Sequence, residues 1–201
     1  MSFFKEDFWD TIYQNETAAW GYEPATFLKE VCKEFPENGT ILDVGCGTGR
    51  NSNYLAEKGF KVYGYDWSET AILEAKSRGL SDAKFNVKDM MINHWGFMKY
   101  DVVMDFGYFH FFTPDRRTFY HEQLQKVLKK DGIYINESGR HREGQPMEKR
   151  HNPLNYVPPS LKSDVWEEFD YLNIERLDEK ILPPHGKFGR YPCWNLFARK
   201  L

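Results

Sequence analysis

The 201-residue sequence has few cysteines, no long apolar run and no secretory leader pattern. Its three cysteines, Cys32, Cys46 and Cys193, are far apart and form no C-x-x-C pair, which disfavours a disulfide framework and favours reduced thiols. No segment approaches the roughly 18 consecutive apolar residues that a membrane-spanning helix needs. The N-terminus is acidic and lacks the apolar core of a signal peptide. We therefore expect a cytoplasmic protein without a membrane partner.

The sequence also lacks an excess of positive charge. Its formal net charge is −3 at pH 7, so the chain as a whole has no general attraction for a polyanion, and we expect no nucleic-acid partner. His141, His151 and His185 do not have the spacing of a metal site, and no metal is expected. Without internal repeats, a chain of this length is expected to form one domain, 1–201.

Strand-like and helix-like segments alternate along the chain, which predicts an α/β fold with a parallel sheet and helices on both faces. Residues 3–35 are expected to be helical in two pieces, separated near Gly21 and Pro24. Strands are expected at 40–44, 61–66, 83–87, 100–106, 132–137, 173–180 and 193–200, and helices at 51–58, 69–78, 115–130 and 163–169. Ser68 is expected to be the N-cap of the helix that runs to Arg78. The last two strands are expected to pair antiparallel.

The segment ILDVGCGTGR (41–50) indicates a buried strand that leads through a glycine turn into a helix. Gly45, Gly47 and Gly49 allow the backbone to approach a ligand without Cβ atoms in the way. Asp43 stands at the tip of the strand, where it would repel a pyrophosphate and attract an ammonium group. S-adenosylmethionine carries such a group. The G-x-G-x-G spacing differs from the G-x-G-x-x-G of dinucleotide loops, which disfavours a nicotinamide-dependent oxidoreductase.

Further acidic residues follow the next strands, at the sheet edge where ligands of open α/β folds bind. Asp66 ends the second strand and is suited to accept hydrogen bonds from both ribose hydroxyls; as a lone residue it would be a turn or cap. Asp89 follows the third strand and is suited to accept from an adenine amino group, while Met90 is suited to pack on the ring. A solvated turn is the alternative for Asp89. Glu137 stands at the end of the fifth predicted strand.

The sequence resembles the class I S-adenosylmethionine-dependent methyltransferases over nearly its whole length. The resemblance is carried by ILDVGCGTGRN (41–51), VYGYDWSETAI (62–72), VKDM (87–90), YDVVMDFGYFHFF (100–112) and VLKKDGIYI (127–135). It implies a seven-stranded, mostly parallel, doubly wound Rossmann-like sheet whose last strand is antiparallel. It also implies S-adenosylmethionine as cofactor. We expect the cofactor to contact Asp43, Gly45, Cys46, Gly47, Gly49, Asn51, Asp66, Trp67, Asp89, Met90, Phe106 and Trp20.

Within this class the sequence is most similar to the small enzymes of the tellurite-resistance and thiopurine/thiol/halide type. Residues 47–66 resemble the former, and residues 8–28 resemble the N-terminal cap of the latter, in which a tryptophan, here Trp20, closes over the methionine moiety. We expect a helical cap at 1–38 on a catalytic core at 39–201. DFGY (105–108) replaces the (N/D)-P-P-(Y/F/W) motif of amide and exocyclic-amine methyltransferases, which disfavours such acceptors.

The acceptor chemistry determines whether a base is needed. A thiol is a few per cent ionised at neutral pH, whereas a hydroxyl acceptor requires a positioned base. The candidate base is His110, whose aromatic neighbours would lower its pKa by desolvation; a structural histidine is the alternative. Candidate acceptor contacts are Trp9, Tyr13, Tyr108, Arg140, Arg190 and Tyr191, although the ring stripe of Trp9 and Tyr13 is equally typical of a core.

The sequence therefore predicts a monomer or weak homodimer that methylates a small acceptor, with a sulfur, selenium, tellurium or similar soft nucleophile preferred. The long polar segment 138–161 is either a lid over the acceptor or a solvated loop. Three alternatives remain: an oxygen or nitrogen acceptor, a macromolecular substrate, or a non-catalytic S-adenosylmethionine-binding protein.

Overall fold

A single mixed sheet organises the protein. The computed structural model describes residues 8–15, 20–79, 83–112, 114–139, 162–182 and 191–201. Within these ranges the strands are β1 (Thr40–Val44), β2 (Lys61–Asp66), β3 (Ala83–Val87), β4 (Tyr100–Phe106), β5 (Leu128–Gly139), β6 (Leu172–Leu182) and β7 (Tyr191–Lys200). Their order across the sheet is β3-β2-β1-β4-β5-β7-β6. Strands β1 to β5 pair in parallel, and β7 is antiparallel to both of its neighbours. The predicted seven-stranded, doubly wound architecture is confirmed.

Six helices cover the sheet in the described ranges: α1 (Phe8–Asn15), α2 (Thr26–Val31), α3 (Arg50–Glu57), α4 (Glu69–Arg78), α5 (Pro114–Val127) and α6 (Lys162–Glu168). Short 3-10 turns follow α2 at Cys32–Glu34 and follow β4 at Phe109–Phe111. Ser68 caps α4 as predicted, because its hydroxyl oxygen accepts a hydrogen bond from the Ala71 amide at 3.0 Å. None of the described helices combines the length and apolar character that crossing a membrane would require.

The central strands β1, β4, β5 and β7 are buried on both faces over most of their length, because side chains alternate along each strand and helices lie on either side. One core combines Leu42, Val103 and Tyr134 with residues of α5 and α6. The other combines Ile41, Val62, Val102, Met104, Ile133, Ile135 and Phe197 with residues of α2 and α3. The second core lies beneath the N-terminal segment. Residues that follow Ile41 and Ile135 at alternate positions toward the carboxyl ends of β1 and β5 lie on this same face of the sheet.

The predicted end of the fifth helix is wrong by three residues. We expected a helix to Lys130, but α5 ends at Val127 and the chain is extended from Leu128 onward. Leu128 is buried and pairs with Tyr100 at the beginning of β4. Asp131 then adopts a left-handed conformation with φ of 59°. Burial of one leucine against the sheet therefore overrides the helical preference of the lysines beside it.

Candidate functional site

The glycine loop after β1 is tightly packed, and two aromatic side chains lie directly on it. Gly45 and Gly47 have φ angles of +72° and +54°, which favour glycine. A Cβ atom at Gly45 would come within 2.6 Å of the Tyr108 ring, and one at Gly47 would come within 2.8 Å of the Tyr13 hydroxyl. The loop is held to β2 because the amides of Gly45 and Cys46 both donate to the Tyr65 carbonyl, at 2.8 and 3.0 Å. Because Gly45 and Gly47 have no side chains, Tyr108 and Tyr13 can lie directly on the loop.

Asp66 links the glycine loop to the beginning of α4. Its carboxylate accepts hydrogen bonds from the amides of Gly47, at 2.8 Å, and Ser68, at 2.9 Å. The residue is 9% exposed, and burial raises the pKa of its carboxyl group to about 6 despite these hydrogen bonds. Asp66 therefore fixes the glycine loop, and its predicted role toward the ribose hydroxyls stays a prediction.

Asp43 lies at the floor of the same site. It is 2% exposed and accepts a hydrogen bond of 2.6 Å from the Ser52 hydroxyl of α3. Burial is the largest cause that raises the pKa of its carboxyl group to about 7, and the nearby carboxylates of Asp105 and Asp66 raise it further. Arg50 opposes this increase. The site thus concentrates buried carboxyl groups around one arginine.

Asp105 is a third buried carboxyl group and determines the turn after β4. It accepts hydrogen bonds from the amides of Tyr108 and Phe109, at 2.8 and 3.2 Å, and from the Tyr120 hydroxyl at 2.8 Å. Burial raises its pKa to about 7. The sequence showed Asp105 only as part of a segment lacking the N-P-P-Y type motif. An aspartate at the end of an apolar strand was the available signal for this role.

Tyr108 connects the glycine loop with the region after β3. Burial raises the pKa of its hydroxyl well above the ordinary value, and the carboxylates of Asp89, Asp66 and Asp105 add to the effect. The hydroxyl lies near the Met90 backbone but completes no well-formed hydrogen bond within the described part of the chain. A buried polar atom of this kind is costly unless a ligand or water supplies a partner.

The other residues predicted around the adenine take local structural positions. Asp89 accepts a hydrogen bond of 2.8 Å from the Met91 amide and closes a turn. Met90 is fully buried, and its carbonyl accepts from the Trp95 indole at 2.9 Å. Trp67 is half-buried against the core of α5 and α6. Their roles toward a cofactor stay predictions.

Helix α1 is attached to the site by Asp10. This carboxylate accepts hydrogen bonds from the Ser68 hydroxyl and, at 3.1 Å, from the Thr70 amide, so α1 lies across the beginning of α4. The same helix carries Trp9, whose ring packs edge-on against Phe111 at 5.1 Å between centroids. Asp10 had no role in the sequence-based prediction.

Tyr13 and Trp20 come together over the glycine loop. Tyr13, on α1, is buried and shares a side-chain hydrogen bond with Trp20, in which the indole N–H donates because it has no acceptor. Burial and the Asp66 carboxylate raise the pKa of the Tyr13 hydroxyl. Both residues predicted for the cap therefore lie at the loop, although their contacts with a ligand stay predictions.

The beginning of α3 holds the segment between α1 and α2. The Asn51 side-chain oxygen accepts a hydrogen bond of 2.9 Å from the Ala25 amide, and the Arg50 guanidinium donates to the Glu23 carbonyl at 3.1 Å. Phe106, at the end of β4, lies 6.5 Å from the ring of Phe27 in α2. The structure therefore shows Asn51 as an anchor for the N-terminal segment.

His110 lies in the 3-10 turn after β4, with one ring nitrogen already used. Its Nδ1 accepts a hydrogen bond of 3.2 Å from the Gly139 amide at the end of β5. Burial lowers the pKa of the ring to about 4, so the ring is neutral at pH 7. Because a neutral imidazole has one acceptor and one donor, the proton must lie on Nε2. In this geometry His110 presents a donor, and its predicted role as a base is untested.

Three predicted acceptor contacts cannot be located. Arg140 and Arg190 lie outside the described residues, as does most of the segment 138–161. Tyr191 begins β7, but its side chain lies outside what the structure describes. Groups of three or more histidine, cysteine or acidic side chains arranged to hold a metal do not occur among the described residues.

Glu137 is a site residue to which the sequence assigned no role. It lies two residues before the end of β5, where it pairs with Phe106, and is 6% exposed. Burial raises the pKa of its carboxyl group to about 7, and Arg50 is the group that opposes this increase. The signal available in the sequence was a glutamate directly after four residues of a predicted buried strand. Asp43, Asp66, Asp105 and Glu137 therefore place four buried carboxyl groups at the carboxyl edge of the sheet.

This arrangement suits S-adenosylmethionine. The cofactor carries a sulfonium and an ammonium group, and buried carboxylates are stabilised by a cationic ligand. The adenosine part supplies hydroxyl and amino donors for Asp66 and Asp89. The Tyr108 hydroxyl, which completes no well-formed hydrogen bond within the described part of the chain, is close enough to both acids for their charges to raise its pKa. The acidic side chains and the glycine loop without side chains thus fit S-adenosylmethionine, the cofactor that the sequence predicts.

Comparisons with known proteins agree with this fit. A family model described as a methyltransferase domain matches residues 41–132. The 2-heptyl-1-hydroxyquinolin-4(1H)-one methyltransferase of Mycobacteroides abscessus is 29% identical over 118 residues, which are 56% of this chain and 52% of that protein. The chain thus spans about half the length of this curated relative.

Two solved structures share the fold. A protein studied for the conversion of a disulfide bond into a thioacetal group during echinomycin biosynthesis has a TM-score of 0.75 at 25% identity, covering 98% of this chain and 93% of that one. TehB from Haemophilus influenzae has a TM-score of 0.73 at 19% identity, covering 98% of this chain and 67% of its own. The chain thus carries a methyltransferase domain at residues 41–132, within a fold that these solved structures share.

Proposed function

We propose that this protein transfers the methyl group of S-adenosylmethionine to a small acceptor whose nucleophile is sulfur or a similarly soft atom. The observation that carries the proposal is the pair of buried carboxyl groups of Asp43 and Asp66 beside a bare glycine loop, covered by the aromatic helix α1. Such a site attracts a cationic cofactor and excludes water from the reacting atoms. A purely structural pair of buried acids would be matched by cations, and among the described residues neither Asp43 nor Asp66 forms a salt bridge.

The residues divide the work of holding the cofactor. The sulfonium group of the cofactor supplies an electrophilic methyl carbon. Asp66 would accept from the ribose hydroxyls, Asp43 would act on the ammonium group, and the Tyr108 ring would cover the glycine loop. Tyr13 and Trp20 would close the site from the N-terminal side. Because orienting two reactants can lower the activation barrier by about 7–11 kcal/mol, these positioning roles supply much of the catalysis.

A soft nucleophile is supported by the chemistry around the acceptor edge. His110 is neutral and its one acceptor nitrogen is occupied, so it offers no free base. A thiol depends less on a strong base than a hydroxyl does, so a weak base such as a carboxylate is sufficient for it. One structural neighbour was studied for the conversion of a disulfide bond into a thioacetal group, a reaction at sulfur. A cytoplasmic location and a monomeric or weakly dimeric state belong to the same proposal.

A hydroxyl or ring-nitrogen acceptor is the second candidate. The observation that favours it is the similarity to a methyltransferase of a hydroxyquinolone. A macromolecular acceptor has less support because the net charge is negative. A non-catalytic S-adenosylmethionine-binding protein would retain the glycine-loop site and show no turnover with any acceptor.

The proposal is tested by calorimetric titration with S-adenosylmethionine and with its demethylated product, followed by a turnover screen with thiols, selenite, tellurite and halides, and with hydroxyl and ring-nitrogen compounds for the second candidate. We expect micromolar binding and turnover of at least one soft nucleophile. Asp66→Ala should abolish turnover through weakened cofactor binding. Binding with turnover of hydroxyl or nitrogen acceptors alone would support the second candidate, and absence of binding would contradict both.

A further inference from the structure

Glu137 lies on the sheet face that carries the glycine-loop site. Side chains alternate along a strand, and Ile133 and Ile135 of β5 belong to the core beneath α2 and α3. Glu137 therefore points to that same side. Asp43 follows Ile41 of the same core by two residues on β1. Because β4 lies between β1 and β5, the backbones of Asp43 and Glu137 are about two strand spacings, or roughly 10 Å, apart across the sheet.

Among the residues that the structure describes, the buried carboxylate of Glu137 has no hydrogen-bonding partner. The residue is 6% exposed, yet among the described residues none donates a hydrogen bond or forms a salt bridge to it. Each of the other three buried carboxylates has a defined partner, such as the Ser52 hydroxyl on Asp43 or the Tyr120 hydroxyl on Asp105. A buried carboxylate that is left unpaired is costly, so a ligand is the natural partner.

The groups that face Glu137 leave its carboxylate free to accept a proton. Arg50, from α3, lowers its pKa but donates its own hydrogen bond to the Glu23 carbonyl. Phe106 of β4 and Asn195 of β7 are its register partners and carry no charge. Cys193, also on β7, has a thiol pKa raised to about 12 by burial and by Glu137, so it stays neutral.

We propose that Glu137 is the catalytic base of the acceptor site, and that it removes the proton of a neutral thiol as the thiol sulfur attacks the methyl carbon. This inference rests on the proposed function, because it assigns the proton acceptor for that methyl transfer. It also explains why a buried acid without a partner among the described residues lies near the carboxyl end of β5. His110, which is a donor in this structure, is then free to orient the acceptor.

The atoms and charges balance in this step. The S–H proton passes to the Glu137 carboxylate, and a sulfur lone pair forms the new S–CH3 bond. The electron pair of the broken bond between the methyl carbon and the sulfonium sulfur stays on that sulfur, which becomes a neutral thioether. Glu137 returns its proton to solvent when the products leave. Its pKa of about 7 is close to that of a thiol, at about 8.5, which favours proton transfer at neutral pH.

The test compares two thiols that differ in their need for a base. Dithiothreitol is mainly neutral at pH 7, whereas thiophenol is largely ionised. In the whole protein, Glu137→Gln should lower kcat for dithiothreitol by about 100-fold and leave kcat for thiophenol nearly unchanged. The wild-type kcat for dithiothreitol should rise with pH through the Glu137 titration near pH 7, and the variant should lose this step. Calorimetric affinity for S-adenosylmethionine should be unchanged.

Glu137→Asp and Glu175→Gln complete the design. Glu137→Asp keeps the base and should retain part of the dithiothreitol activity. Glu175→Gln removes an acid of the edge strand β6 that forms a salt bridge with Arg199 of β7. This variant should behave as wild type. An equal loss for both thiols, or weakened cofactor affinity, would overturn the inference alone. A wild-type protein that binds the cofactor and methylates neither thiol would contradict the proposed function and the inference with it.

Discussion

At the scale of single residues, the glycine loop is constrained by its neighbours as well as by its own backbone. Gly45 combines a positive φ with a Tyr108 ring 2.6 Å from where a Cβ atom would lie. Gly96 has a positive φ of 102° with no atom within 4 Å of that position. Substitutions at these two glycines therefore distinguish the cost of backbone strain from the cost of displacing a neighbouring side chain.

We predict that Gly45→Ala weakens S-adenosylmethionine binding by at least tenfold and destabilises the protein by about 2–5 kcal/mol. Strain from the left-handed conformation costs about 1–2 kcal/mol, and displacement of Tyr108 adds about 1–3 kcal/mol. Calorimetric titration and urea unfolding measure the two effects. Gly96→Ala is the matched control and should show the strain cost alone, with unchanged cofactor affinity. Equal affinity losses in both variants would contradict this account.

Single residues also show where prediction from the sequence reached its limit. Ser68 was predicted correctly as a helix cap, because a cap depends on residues within one turn. Asn51 was predicted at the cofactor, and that role stays a prediction; its contact with the Ala25 backbone, 26 residues away in sequence, was not predicted. A contact over that distance has no periodic signature, so a pattern of neighbouring residues does not reveal it.

At the scale of elements, α1 is held on the catalytic core by one carboxylate. Asp10 accepts hydrogen bonds from Ser68 and Thr70, the residues that begin α4. Because α1 also carries Tyr13, which lies on Gly47, the position of the cap and the shape of the cofactor site are linked through this contact.

We predict that Asp10→Ala increases the dissociation rate of S-adenosylmethionine several-fold while lowering the stability of the protein by only about 1–2 kcal/mol. Loss of the acceptor detaches α1 and removes the Tyr13 and Trp20 cover, whereas the sheet and its cores are unaffected. Stopped-flow dissociation and thermal unfolding measure the two quantities. Gln14→Ala is the control on the same helix, because Gln14 is exposed and makes only a 3.4 Å contact with Thr70. An unchanged dissociation rate in Asp10→Ala would rule out a capping role for α1.

Elements were predicted well where their pattern is local. The parallel strands were recognised as short apolar runs next to glycines, and their bounds agree closely with β1 to β4. The boundary between α5 and β5 was missed because LKK at 128–130 suits a helix end, while Leu128 pairs instead with Tyr100. That choice depends on a strand 28 residues earlier in the chain, which no local pattern includes.

At the scale of the whole molecule, the four buried carboxyl groups couple stability to pH. The pKa values of Asp43, Asp105 and Glu137 are raised to about 7, and that of Asp66 to about 6, mainly by burial. Between about pH 4 and 7 the folded protein therefore holds protons that the unfolded chain has released, and stability falls as pH rises. His110, with its pKa lowered to about 4, has the opposite effect between about pH 4 and 6.5, but it is one group against four.

We predict that the protein without cofactor is more stable at pH 5.5 than at pH 8, by on the order of 3 kcal/mol. Urea unfolding across this range measures the slope. Asp105→Asn should flatten the profile, since one raised carboxyl group contributes up to about 1.4 kcal/mol per pH unit. Asp101→Asn on the same strand should not, because hydrogen bonding to Lys129 and Thr40 lowers the pKa of Asp101. Stability that increases from pH 5.5 to pH 8 would show that these groups are ionised in the folded state.

The sequence by itself determined the fold class, the strands that alternate with helices and the glycine loop with its acids. These features follow from short-range periodicity, from the backbone freedom of glycine and from the position of polar residues after apolar strands. Only the tertiary structure decided that Asp10 fastens α1, that His110 uses its acceptor nitrogen on Gly139, and that Glu137 is buried with no hydrogen-bonding partner in the described part of the chain. Each of these depends on side chains brought together across strands and helices, and the free energy of such contacts is set by burial and geometry that the order of residues does not express.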